Sequence, residues 1–133
     1  MRPRILVVED DTATREALQR ILEHEGCEVE AVPDGERAVG ALANRKFAAI
    51  VLDIALPKMS GTDVMEYIAS TSPEALTSII VVTGLEAREI RKLFPEICET
   101  LSKPVIPARL LGSVRRCLAI PNRGSGRSGI SVA

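Results

Sequence analysis

Short apolar runs alternate with amphipathic stretches along most of the chain. Ile5 to Val8, Phe47 to Leu52 and Ile79 to Val82 are unbroken and rich in valine and isoleucine, the pattern of strands covered on both faces. Glu28 to Val32 and Ile97 to Leu101 alternate more, as edge strands do. Between these runs the spacing predicts helices. Thr12 to Glu25 sets Ala17, Leu18, Ile21 and Leu22 on one stripe, and Gly26 stops it. Pro33-Asp34-Gly35 turns the chain, and Asp34 is placed to cap a helix carrying Ala38, Val39 and Leu42. Gly61 to Ser70 presents Val64, Met65 and Ile68 until Pro73 closes the segment. Glu86 to Phe94 is a short charged helix ending at Pro95, and Ile106 to Ala119 carries Leu110, Leu111, Val114 and Leu118. Strands alternating with helices in this way predict an open, doubly wound α/β parallel sheet, because parallel strands need crossover helices and right-handed crossovers cover both faces. Pro121 to Ala133 mixes Gly, Ser and Arg without periodicity and is expected to be a disordered tail, too short for an output domain.

Composition narrows the setting. A chain of 133 residues, 46% hydrophobic, suffices for one domain with a core and is too short for two. With 17 basic and 18 acidic residues there is no general bias toward nucleic acid or anionic membrane. Cys27, Cys98 and Cys117 are odd in number, widely spaced and without a CxxC. This argues against a disulfide framework or zinc site and for small core residues in a reducing cytosol. No apolar run is long enough for a signal peptide or a membrane span, so a cytoplasmic location is expected.

Candidate chemistry collects where strands end. The first apolar run is followed by Glu9, Asp10 and Asp11, and the run at Phe47 to Leu52 by Asp53. If these strands are parallel neighbours, the carboxylates meet at one sheet edge, where repulsion raises their pKa values unless a cation sits among them. The pattern therefore points to a divalent metal. Ligands of open α/β sheets lie beyond the carboxyl ends of the strands, which adds Thr83 and Gly84 after the fourth strand and Lys103, followed by Pro104, after the fifth. Each residue alone has a plainer reading: the acids as caps of the first helix, Asp53 as a solvated loop acid, Thr83 as a strand-end hydroxyl, Lys103 as a surface lysine. Their convergence on one set of strand ends favours a site. His24 reads as exposed, and Met59, Met65 and Tyr67 as packing residues. Arg88, Arg91 and Lys92, balanced by Glu86 and Glu89, read as a solvated face.

Ile-Leu-Val-Val-Glu-Asp-Asp at 5 to 11, Leu-Asp-Ile-Ala-Leu-Pro-Lys-Met-Ser-Gly at 52 to 61, Val-Val-Thr-Gly at 81 to 84 and Ser-Lys-Pro at 102 to 104 together resemble the receiver domain of two-component response regulators, over residues 4 to about 119. The resemblance implies a flavodoxin-like five-stranded sheet of order 2-1-3-4-5 with five helices, in a receiver domain at 1–120. By it, Asp53 would accept a phosphoryl group from a phosphohistidine of a sensor histidine kinase or histidine phosphotransfer protein. Asp10, Asp53 and the backbone carbonyl of Ala55 would hold Mg2+, with Glu9 acting on the metal through water. Thr83 would hydrogen-bond one phosphoryl oxygen, Lys103 would pair with another, and the Lys103-Pro104 bond would be cis. The product would be a signalling protein acting on a downstream protein partner, with no direct DNA binding; Ala55 and Leu85, neither of them polar, flank the place where a side chain could position an attacking water, so slow self-dephosphorylation is expected.

Electrostatics supports these roles independently. A carboxylate attacks a negatively charged phosphoryl group poorly, so the site must neutralise the oxygens. A hard cation with oxygen ligands and a lysine do this. Three departures from the family pattern fall near the fifth strand: Thr100 stands where an aromatic is usual, Glu96-Ile97 replaces Gly-Ala, and the interval from Thr83 to Lys103 is short. The common aromatic switch is therefore not expected here. Alternatives are a docking module of the same fold that works without phosphate, which would usually lack Asp53 or Lys103, and a phosphate relay or sink. A haloacid-dehalogenase-type phosphatase would carry DxD after the first strand, a flavin binder would avoid acids there, and no P-loop occurs.

Overall fold

The three continuous apolar runs become the interior of a parallel sheet in the computed structural model, which describes residues 2–84 and 87–119. The elements run in the order β1 (Arg4–Val8), α1 (Thr12–His24), β2 (Glu28–Val32), α2 (Gly35–Asn44), β3 (Ala49–Asp53), α3 (Gly61–Thr71), a 3-10 helix (Pro73–Ser78), β4 (Ile79–Thr83), α4 (Ala87–Leu93), β5 (Glu99–Ser102) and α5 (Pro107–Ala119). The strand order is β2-β1-β3-β4-β5, the flavodoxin-like arrangement expected. Every residue of β3 and β4 is buried, as strands covered on both faces must be.

Two cores flank the sheet. On one face Leu6, Ile50, Leu52 and Val81 pack with Val64, Met65 and Ile68 of α3, Ala38 of α2 and Ile90 of α4. On the other, Ile5, Val7, Val51 and Ile80 pack with Leu18 and Leu22 of α1 and Leu110 and Val114 of α5. Local signals fix the helix ends. Asp11 caps α1 by accepting from the Thr14 N–H at 2.9 Å, and Asp34 caps α2 through the Arg37 N–H at 2.8 Å. Ser60 and Asp63 form a reciprocal capping box on α3. Gly26, with φ +92°, ends α1 in the left-handed region.

Several boundaries differ from expectation. The last strand begins at Glu99 because Ile97, 3% exposed, is turned into the core and its N–H bonds back to Phe94. β3 begins at Ala49, with Phe47 left to pack at its foot, and runs on to include Asp53. Ala17, expected on the buried stripe of α1, is exposed, and so is His24, as expected. Leu85, Glu86 and the expected tail at 121–133 lie outside the described residues.

The cysteine reading requires correction. Cys27 is free and buried, but Cys98 and Cys117 form a disulfide with Cα atoms 6.0 Å apart. The two are 19 residues apart in sequence and meet only because α5 folds back across the start of β5. No spacing motif encodes such a tertiary meeting, and the inference of a reducing compartment from these residues falls with it.

The loop leaving β3 is held against α3 by a close backbone approach. Gly61 donates to the Ile54 carbonyl at 3.1 Å, and a Cβ at this position would lie 2.7 Å from both the Asp53 carbonyl oxygen and Ile54 Cα. These are backbone atoms with nowhere to retreat. Gly61→Ala is expected to lower stability by about 1–3 kcal/mol, the usual cost of overpacking. A urea unfolding midpoint equal to wild type would contradict this packing.

Candidate functional site

β1 and β3 pair in parallel, with Val8 opposite Leu52, so the residues after them emerge side by side at the carboxyl edge. Glu9 and Asp53 are 4% and 1% exposed, whereas Asp10 reaches solvent. One carboxylate oxygen from each of Glu9, Asp10 and Asp53 lies within 4.8 Å of the others. Asp11, the fourth acid of the pattern, is turned away to cap α1, which also holds its carboxyl below the usual range through bonds from the Thr14 hydroxyl and N–H. The capping reading is therefore correct for Asp11, while Glu9 and Asp10 belong to the cluster.

Positive charge and backbone donors answer the cluster. Lys103, delivered by the turn after β5, donates from Nζ to Asp53 Oδ2 at 2.9 Å, and the other Asp53 oxygen accepts the Ala55 N–H at 3.0 Å. The Lys103-Pro104 bond is cis, as the resemblance implied. Burial of the ammonium works against its charge, but the hydrogen bond and charge of Asp53, with Glu9 and Asp10 behind, outweigh it and raise the Lys103 pKa. Thr83 closes β4, 3% exposed, and its carbonyl accepts the Lys103 N–H at 3.2 Å, so strand ends β4 and β5 are tied beside the acids. Ala55 is exposed at the rim.

Glu9 bears the largest electrostatic cost. Burial pushes its carboxyl up to about 7, with the charge of Asp53 adding to the effect and the Asp11 N–H and Lys103 opposing it. Three hard carboxylate oxygens converging at a partly buried edge, one of them reluctant to ionise, form a donor set that fits a hard divalent cation.

Arg15 was not anticipated. From the first turns of α1 its guanidinium donates to the Glu9 carbonyl at 2.9 Å and the Asp10 carbonyl at 3.3 Å, bracing the acidic turn. Its spacing after the acids was visible, but arginine at that spacing serves a solvated helix equally well. A groove of about 770 Å³ opens from the site between α1 and the turn after β5, lined by Asp10, Ala13, Ala17, Lys103 and Pro104 among others. Ala13 and Ala17, one helical turn apart, leave this groove unfilled, which accounts for the exposure of Ala17.

A family model described as the response regulator receiver domain matches residues 5–115. The response regulator MprA of Mycolicibacterium vanbaalenii is 32% identical over 130 residues, covering 96% of this chain and 56% of that protein. The chain spans about half the length of the curated relatives it matches. Among solved structures, a CheY-like response regulator receiver domain protein from Methanospirillum hungatei is 32% identical with a TM-score of 0.83, over 95% of this chain and 100% of that one. The receiver domain of sensor histidine kinase PA1611 from Pseudomonas aeruginosa, which has a magnesium ion coordinated in its active site cleft, is 26% identical with a TM-score of 0.78, over 89% and 98% of the two chains.

The raised Glu9 pKa has a definite sign in stability. Between the ordinary 4.5 and about 7 the folded protein holds a proton that the unfolded chain has lost, so Glu9 costs progressively more stability as pH rises through that window. Without divalent cations, wild type should lose stability from pH 5 to 7.5 relative to Glu9→Gln, whose side chain stays neutral. Parallel thermal unfolding curves for the two proteins across that range would contradict this.

Proposed function

The chain belongs to the response regulator receiver domain family, and from that premise we propose that it is a phosphorylatable receiver whose acceptor is Asp53. The observation that carries this reading is the 2.9 Å contact of Lys103 with an Asp53 carboxylate buried beside Glu9 and Asp10. A docking module working without phosphate has no need to maintain so costly a pairing of charges.

The donor is a phosphohistidine of a sensor histidine kinase or histidine phosphotransfer protein, seated over the groove between α1 and the turn after β5. An Asp53 oxygen attacks phosphorus in line. The new P–O bond forms as the P–N bond breaks, and the imidazole leaves neutral because its distal nitrogen already carries a proton. Asp53 Oδ1 is oriented by the Ala55 N–H, while Oδ2 is held by Lys103. As the phosphoryl group arrives, Lys103 shifts from carboxylate to phosphoryl oxygen, and the Thr83 hydroxyl donates to another. Asp10, Asp53 and the Ala55 carbonyl would hold Mg2+, with Glu9 acting through water. When bound, the ion supplies charge neutralisation at the phosphoryl oxygens.

The added charge of roughly -1.5 to -2 then draws Thr83 and the loop after β4 toward Asp53, changing the surface offered to a protein partner in the cytoplasm. Thr100, partly buried on β5, takes the place of the usual aromatic, so Thr83 would act without that relay. Ala55 at the rim offers no polar side chain to position a hydrolytic water, which favours a slow loss of the phosphoryl group. Leu85, the other apolar residue expected to flank the site, is outside the described residues.

Incubation with acetyl phosphate and Mg2+ should add the mass of one phosphoryl group to wild type and none to Asp53→Asn, and chelation should abolish the gain. Equal labelling of the two proteins would exclude Asp53 as acceptor. Once donor is removed, the label should persist for minutes or longer; loss within seconds would contradict the assignment of slow hydrolysis to a rim lacking polar groups.

A further inference from the structure

A second pair of reactive atoms lies at the other end of β5 from Lys103. Cys98 immediately precedes the strand, Cys117 sits near the end of α5, and the two are bonded. We propose that this pair is a reversible dithiol–disulfide site, opened by exchange with a thiol reductant, and that its state sets how firmly the end of α5 is held to the sheet. The inference does not depend on phosphorylation of Asp53.

The two residues differ in exposure. Cys98 is partly exposed, whereas Cys117 is 3% exposed. An incoming thiolate therefore attacks Sγ of Cys98 and expels Cys117 as thiolate, which takes up a proton. A second thiol then displaces Cys98 from the mixed disulfide. Two protein thiols and one oxidised reductant result, with two electrons and two protons transferred. The reductant is a small thiol or a dithiol protein. Cys27 is 5% exposed and burial pushes its thiol pKa up, so it is poorly suited to intercept the exchange.

The surroundings suit a site that opens without unfolding the domain. Glu99, next to Cys98, accepts from the buried Ser113 hydroxyl at 2.6 Å and from the Arg116 guanidinium through Nη2 at 2.9 Å and also through Nε. Arg116 holds the Glu99 carboxyl below its usual range, with Ser113 assisting. Leu110 and Val114 anchor the earlier turns of α5 in the core. With the disulfide open, the helix retains these ties, but its last turn is left with the exposed ion pairs Arg115–Glu25 and Arg116–Glu99 and the packing of Cys117, and loses its covalent link. Fraying from Arg115 onward is the expected response.

The test is to equilibrate the full chain in glutathione buffers of varied redox ratio, trap thiols by alkylation, and read peptide masses together with amide hydrogen exchange. Cys98 and Cys117 should become alkylated together, ahead of Cys27, and close again in oxidising buffer. Exchange of amides in Arg115–Ala119 should be at least about tenfold faster in the reduced protein. In Cys98→Ser, and separately in Cys117→Ser, exchange there should be fast at every ratio. Thiols that stay free throughout, a disulfide that never opens, or α5 exchange independent of redox state would each overturn the proposal.

Discussion

The parallel pairing of β1 with β3 brings Glu9, Asp10 and Asp53 to one edge, and the surrounding arrangement answers the repulsion this creates. Isolated carboxylates leave water only at a cost of several kcal/mol each. The sheet cannot avoid that cost, because the same register that aligns Ile5 with Ala49 and Val8 with Leu52 also sets the acids at the strand ends side by side. It is offset locally. Lys103 pairs with Asp53, backbone N–H groups of Asp11 and Ala55 take up carboxylate oxygens, and Arg15 braces the carbonyls of the acidic turn. The apolar layers on both faces hold these groups in place, so core and site are parts of one constraint.

Much of this was legible in the chain because burial on both faces leaves continuous apolar runs. Ile5–Val8 and Ile79–Val82 could hardly be anything but inner strands, and acids directly after such runs had to emerge at a sheet edge. The features that sequence could not reveal depend on groups that meet only in the folded chain. Arg15 serves backbone carbonyls, which carry no residue signature. Ile97 looked like a strand residue by its apolarity, but plugs the core before β5 begins. Asp10 and Asp11 are indistinguishable as letters, and only the cap geometry separates them. The disulfide is hidden for the same reason: a spacing of 19 residues says nothing until α5 lies across β5.

The β5–α5 corner gathers unusual polar and covalent ties. Thr100 replaces an aromatic, and nearby Glu99 is bound to Ser113 and Arg116 while Cys98 is bound to Cys117. Polar and covalent ties thus fix α5 to the start of the strand, whereas the Lys103 end of the same strand serves the acidic site. The two ends of β5 answer to different chemistry.

Glu9, Asp10 and Asp53 form a group that could hold a metal ion, and in that case the Lys103 ammonium on Asp53 supplies part of the positive charge a cation would bring. Calorimetric titration of Mg2+ into wild type, Asp10→Asn and Lys103→Ala tests it most directly. Asp10→Asn should bind at least about tenfold more weakly and Lys103→Ala more tightly than wild type, since one loses an attractive charge and the other a repulsive one. Equal affinity in all three proteins, or no saturable binding to wild type, would contradict the account.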